Sequence, residues 1–293
     1  PRPDGTIQAV VIMLAGITGS FKAGRRAIIE SPWDPGIDVP QLQLWIDASD
    51  TSSYVVGSGN SLSSVTDKAG NNTLGFSGTP QRASNALNMM PAFYANGSES
   101  IETVDGSGNP ANSTVTDSSG NHWAIGVVRF ESVNASKDSF WSFEGTTRTY
   151  ALSAGASNNT WPGEIDYDGG NTISNGVAKN DFTVSLSQGT FAIVSLVFNK
   201  SGDQIFGRIN GTTRTSIDDY DNKLDTNAQA RFFRNRGNVR VEGYIAEYFH
   251  VADAPGTGGT NISDVEKAEG YLAHKWGMTS SLPNSHPYKN SAP

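Results

Sequence analysis

The sequence predicts an all-β body of two antiparallel layers, preceded by an N-terminal extension and closed by one short helix. Three observations carry that expectation. Segments rich in β-branched and aromatic residues recur along the chain, Gly, Asn and Asp separate them, and a single amphipathic stretch of helical period stands near the end. With 32 Gly, 13 Pro and only 17% charged residues among 293, the composition is that of many short strands joined by turns. A chain of this length can bury a substantial core, as one large sandwich or two small domains.

Residues 1–40 differ from the rest. AVVIMLAGI (9–17) is apolar without alternation, FKAGRRAII (21–29) is basic and then apolar, and SPWDPG (31–36) is a turn cluster. A lone apolar strand exposes backbone donors and apolar side chains together, so it needs a partner. Two readings stay open: an added strand on the chain's own body, or a docking arm that joins a larger assembly. In the second, Val10, Val11, Ile12, Leu14, Phe21 and Trp33 are the assembly contacts. The apolar run from Ala9 to Ala15 is far short of the roughly 20 residues of a membrane helix, so no membrane insertion is expected. PRPDGTIQ lacks the basic start and small-residue cleavage site of a secretory signal, which sets synthesis in the cytosol as the expectation.

The body follows as strands at 122–130, 139–143, 148–153, 191–198, 203–209 and 239–250. FAIVSLVF (191–198) is apolar on both faces and suits a central strand, and NKSGD (199–203) turns it back into DQIFGRI as a hairpin. In VRVEGYIAEYFH, strict alternation puts Val239, Val241, Ile245 and Phe249 on a buried face. Arg240, Glu242, Tyr244, Tyr248 and His250 then fall on the other. Near the end, Val265, Ala268, Leu272 and Trp276 recur at helical spacing behind Ser263 and Glu266, which stand in capping-box register. Gly277 suits the helix C-terminus, and Pro283 and Pro287 forbid continuation.

With 29 acidic and 21 basic residues the net charge is −8, which opposes attraction to phosphate backbones and argues against a nucleic-acid partner. The absence of cysteine excludes disulfides, thiolate metal sites and cysteine nucleophiles. Asn-x-Ser/Thr triplets at Asn96, Asn112, Asn134 and Asn210 read as turn chemistry in a chain this rich in such residues.

The closing run AEGYLAHKWGMTSSLPNSHPYK (268–289) resembles the C-terminal signature of laminin G-like, concanavalin A-like domains of bacterial and phage proteins. LQLWIDASDTSS (42–53) is similar to that family's opening strand and turn. TDKAGNNTLGF (66–76) and MPAFYANGSESIE (90–102) are similar to its next two landmarks, and GYIAEYFHV (243–251) to its last strand. Two departures stand out: Val65 replaces the tryptophan that commonly precedes the aspartate of the DKxGN element, and APGTGGTN (254–261) is inserted before the helix. The resemblance implies a concanavalin A-like jelly-roll sandwich over residues 41–293, with 1–40 as a separate arm. Together with the expected cytosolic synthesis, the absence of cysteine and the apolar arm, it points to a non-enzymatic structural or adhesive module on the surface of a tailed-phage virion, as capsid decoration or tail appendage. Its partners would be other virion proteins, copies of itself, and host surface glycans. A lectin at the bacterial cell surface is the alternative.

WPGEIDYDGG (161–170) is the one stretch with catalytic character. It resembles the E-x-D-x-E strand of concanavalin A-like retaining glycoside hydrolases, which would make Glu164 nucleophile and Asp168 acid/base with Asp166 between them. Against this, the last position is Asp, and carboxylates four residues apart on a strand start about 13 Å apart where retaining chemistry needs about 5–5.5 Å. Asp168-Gly169-Gly170 also reads as a turn. Glycan binding by Asp166 and Asp168, with Trp161 and Tyr167 as stacking faces, ranks above catalysis. Because lectin-like sandwiches often hold calcium in loops at a sheet edge, the resemblance makes it the candidate ion, with Asp218, Asp219 and Asp221 as ligands and Asp47 with Asp50 or Asp67 with Asn71 behind them. Solvated turns account for them more simply. The arginines of RFFRNRGNVR (231–240) read as a charged strand edge balanced by nearby acids, and His122, His250, His274 and His286 show no metal-ligand spacing.

Overall fold

The computed structural model describes residues 33–113, 115, 121–132, 139–144, 149–154, 163–164, 186–199, 204–218, 229–234, 240–252 and 262–293. Pro32–Pro293 forms one compact unit; Pro1–Ser31 is assigned to another and lies outside the described residues. A single helical turn, α1 (Pro35–Asp38), is capped by the Asp34 carboxylate, which accepts the Gly36 N–H at 2.7 Å. It leads into β1 (Leu42–Asp47) and a small ribbon of β2 (Tyr54–Val56) with β3 (Leu62–Val65). There follow β4 (Leu74–Ser77), β5 (Gln81–Leu87), β6 (Met90–Asn96), β7 (Ser100–Thr103), β8 (Asn121–Ser132), β9 (Ser139–Glu144), β10 (Thr149–Ala154) and β11 (Gly163–Glu164). The last strands are β12 (Ala192–Asn199), β13 (Gln204–Ile209), β14 (Thr212–Asp218), β15 (Gln229–Phe232) and β16 (Glu242–Ala252), before the helix α2 (Ile262–Lys275).

These strands make the antiparallel β-sandwich that the composition predicts. The larger sheet runs β14-β13-β12-β8-β16-β6-β5 with β1 also on β16, and the smaller runs β11-β10-β9-β15-β7-β4. The inner faces meet in a core that includes Leu44, Phe93, Phe130, Trp141, Phe143, Leu196, Phe232 and Tyr248. β12 sits between β8 and β13, with Val194 and Leu196 in that core and Ile193 and Val197 on the opposite face. That two-sided burial is why its sequence carries no alternation.

The outer face of the larger sheet is also covered, by α2. Val265, Ala268, Leu272 and Trp276 are fully buried there against Trp45, Trp123, Ile125, Ile193 and Phe249. A helix of this length is marginal alone. Each large apolar side chain it buries contributes about 1.5–3 kcal/mol, and that packing holds it in place.

Two local expectations are corrected. Strict alternation fails in β16 because a bulge falls between Ile245 and Glu247. Val241, Ile245, Tyr248 and His250 are all buried, and Ile245 and Tyr248 share the inter-sheet core, while Phe249 joins the cluster beneath α2. The capping box also fails: the helix opens at Ile262, so Ser263 stands inside its first turn, and Glu266 reaches Arg208 instead, with Nη2 3.4 Å from its Oε1. The C-terminus is as expected. Gly277 takes φ +66°, and the N–H groups of Met278 and Gly277 bond the carbonyls of Ala273 at 2.7 Å and His274 at 3.4 Å, a Schellman closure.

Candidate functional site

The motifs that carry the family resemblance meet in space under α2. Glu247 on β16 is fully buried and accepts four donors. Its Oε1 takes Trp45 Nε1 at 2.9 Å and the Tyr271 hydroxyl at 3.1 Å, and its Oε2 takes Trp276 Nε1 at 2.8 Å and Lys275 Nζ at 2.7 Å. Burial and the neighbouring Asp47 charge push its carboxyl up, and Lys275 with the Trp276 donor pulls it back. Lys275 Nζ also reaches Asp47 Oδ2 at 2.8 Å, and Lys68 joins Asp47 at 3.2 Å to Asp50 at 2.8 Å while lying 3.9 Å over the Trp45 ring. Asp67 fixes the start of this chain by accepting the Trp45 N–H at 2.9 Å and the Asn72 N–H at 3.0 Å.

A second buried carboxylate fastens the tail. Glu269 on α2 accepts Arg208 Nε and Nη2, each at 2.8 Å, Ser195 Oγ at 2.9 Å, and lies 3.1 Å from His286 Nε2. Burial alone would raise its carboxyl; His286, Arg208 and Ser195 outweigh that and hold it low. Gly270, one residue on, leaves the space that Tyr288 fills, and the Tyr288 carbonyl lies 2.9 Å from His274 Nε2. The EGY and HPY motifs are thus two halves of one clasp.

Inside the sandwich, His122 Nδ1 lies 3.2 Å from His250 Nε2, and His250 Nδ1 lies 3.2 Å from the Tyr248 hydroxyl. Phe143 stands edge-on to His250 at 4.4 Å. Burial lowers the His250 imidazole to about 3 and His122 well below its ordinary value, the latter also through His250. These groups are sealed from any ligand.

The open chemistry lies elsewhere, in a cleft of about 190 Å³ between the α1 segment, the first turns of α2 and the outer face of the larger sheet. Trp33 and Trp123 line it with Val39, Pro40 and Val251, and Asp38, Gln41, Asp264 and Lys267 supply its polar groups. Trp33 is half-buried, its ring 5.1 Å from Tyr271 and 6.3 Å from Phe249, which fixes its orientation. Trp123 packs at 5.7 Å on the same Phe249. Asp264 and Lys267 touch at 3.3 Å yet stay 52% and 40% exposed, so solvent reaches them.

Among the sequence-derived candidates, Trp161, Asp166, Tyr167, Asp168, Asp219 and Asp221, with Val10, Val11, Ile12, Leu14 and Phe21, lie outside the described residues. Glu164 is in β11, paired with Ser153 of β10, and Asp218 ends β14 opposite Gln204. The minor calcium pairs are corrected: the Lys68 ammonium stands between Asp47 and Asp50, and Asp67 spends its oxygens on backbone and side-chain N–H groups including those of Asn71 and Asn72. Among the described residues no group of three or more acidic or His side chains is placed to hold a metal, and no helix is long and apolar enough to cross a membrane. Glu102 contacts both Arg231, at 3.6 Å, and Arg234, at 3.3 Å. Of the cleft residues, sequence reading singled out Trp33 alone, as an assembly contact; no linear spacing ties it to Trp123, Asp264 or Lys267.

No family model and no curated protein matches the sequence. Solved structures do match the fold. Domain 4 of AbnA, a GH43 extracellular arabinanase from Geobacillus stearothermophilus, in complex with arabinotriose, aligns over 72% of this chain and 92% of its own at 15% identity and TM-score 0.50. The binding domain of botulinum neurotoxin DC aligns in complex with SialylT (10% identity, 80% of this chain, TM-score 0.50) and with rat synaptotagmin II (11%, 79%, 0.50). This chain spans about half the length of those toxin domains, 52% in each case. At these identities the likeness concerns the β-sandwich fold.

Proposed function

We propose that the sandwich is a non-enzymatic binding module that recognises glycans and, through residues 1–31, is displayed on the surface of a tailed-phage particle. The observation that carries the binding reading is the division of polar groups. The carboxylates of the family-like motifs, Asp47, Asp67, Glu247 and Glu269, are buried and bonded within the fold, leaving them no substrate to act on. The open cleft instead brings the half-buried Trp33 together with unburied polar groups, the makings of a binding site. A sandwich of the same fold held arabinotriose in the arabinanase domain, and another was solved with SialylT.

The particle reading rests on the resemblance of the signature to bacterial and phage proteins and on the apolar 9–17 segment. Two measurements test the proposal together. Incubation with each glycan that the protein binds should release no reducing ends; release that disappears in Glu164→Gln would replace binding with retaining hydrolysis. The native protein should co-purify with intact particles, and recovery only as a free protein or on bacterial envelopes would overturn the virion placement.

A further inference from the structure

Resting on that reading, we infer that the cleft between Trp33 and Lys267 is the recognition site and that it takes a single neutral sugar ring of a glycan chain. Its volume of about 190 Å³ decides the size. Sites for drug-sized ligands run to roughly 300–1,000 Å³, so this one holds one ring and leaves the remainder of a chain in solvent.

The lining decides the chemistry. Trp33 is braced by Tyr271 and Phe249, so it presents its remaining surface without having to be ordered first. An indole face covers the C–H side of a sugar ring. Asp38 and Asp264 accept hydroxyl hydrogens, the Lys267 ammonium donates to hydroxyl oxygens, and the Gln41 amide does both. Vicinal hydroxyls are the ligand groups that use acceptors and donors side by side in this way.

Charge decides between sugars. Two carboxylates and one ammonium leave the cleft with a formal charge of −1, in a chain whose net charge is −8. Sialylated, uronic and phosphorylated residues are repelled by both, and a neutral hexose or pentose is not.

The test applies the full chain to an array of neutral, sialylated and phosphorylated glycans and titrates the strongest neutral hit by calorimetry. Binding should be confined to neutral glycans. Trp33→Ala, Asp264→Asn and Lys267→Gln should each weaken it at least tenfold, with Met89→Ser, at an exposed site elsewhere, unchanged. The Asp264 and Lys267 variants alter solvent-exposed side chains, so their effect does not depend on whether Trp33→Ala stays fully folded. Neutral binding that survives all three variants overturns the cleft and leaves glycan recognition standing. Binding confined to anionic glycans overturns the neutral class. No binding anywhere on the array overturns the glycan reading and the cleft with it.

Discussion

Acid should weaken this sandwich well before its carboxylates titrate, because two imidazoles are sealed in its core. His122 is 0% and His250 1% exposed, and His250 falls from 6.5 to about 3 on folding. Both remain neutral in the fold, while the unfolded chain takes up protons below 6.5, so the stability present above that value is lost as pH falls towards 3. At about pH 5 one such imidazole costs about 2 kcal/mol and the pair about 4, a large share of the roughly 5–15 kcal/mol of a typical domain. Asp47, Asp50 and Glu269 are lowered carboxyls whose losses come further down, and Glu247, raised on folding, acts in the opposite sense. Urea unfolding at about pH 7.5, 6 and 5 measures this directly. The slope between the last two should approach two protons, and His250→Gln should halve it. Equal stability at the two ends, or an unaltered slope in the variant, would refute a neutral buried pair.

The clasp at Glu269 makes a sharper local prediction. Arg208→Ala should cost about 3–5 kcal/mol in urea unfolding by stranding a buried carboxylate, and Arg208→Met with Glu269→Leu should recover most of that loss. Trp276→Phe keeps one aromatic ring but removes the pyrrole N–H, one of the four donors to Glu247, with an expected loss of at least about 1.5–3 kcal/mol. A chain beginning at Gln41 should be less stable by about 2–3 kcal/mol than one beginning at Pro32, since it lacks the Trp33, Pro35 and Val39 packing. Equal melting of the two would place residues 33–40 outside the stabilising core.

Strands β8, β9, β10, β12, β13 and β16 and the helix were legible because their signals are local. β-branched runs, turn residues, the 3.6-residue spacing of Val265 to Trp276 and the glycine at 277 each act within a few positions. The β16 bulge was not, because it appears only when β8 and β16 are laid side by side and the register slips between Ile245 and Glu247. Nor was the second buried face of that strand, which exists because α2, contributed from further along the chain, lies across it. The His122–His250 contact spans 128 residues, and the cleft joins Trp33 to Lys267 through the whole fold. Such sites are products of topology, so no spacing in the chain announces them.

The positions that carry the family resemblance are therefore engaged within the fold. Trp45, Asp47, Asp67, Lys68, Glu247, Tyr271, Lys275 and Trp276 spend their polar atoms on one another, fastening β1, the turn after β3, β16 and α2 into one block. Removing one of these residues takes a hydrogen-bond or charge partner from a buried carboxylate, so the block serves the fold. Under the proposed function, ligand choice falls instead to side chains that the block holds up but does not consume. Trp33 rests on Tyr271, and Lys267 and Asp264 ride on the outer turns of the same helix. Under the proposed function, exchanging the exposed Asp264 and Lys267 should alter binding with little change in stability, whereas exchanging a residue of the block should lower stability, as argued for Trp276, without redirecting specificity.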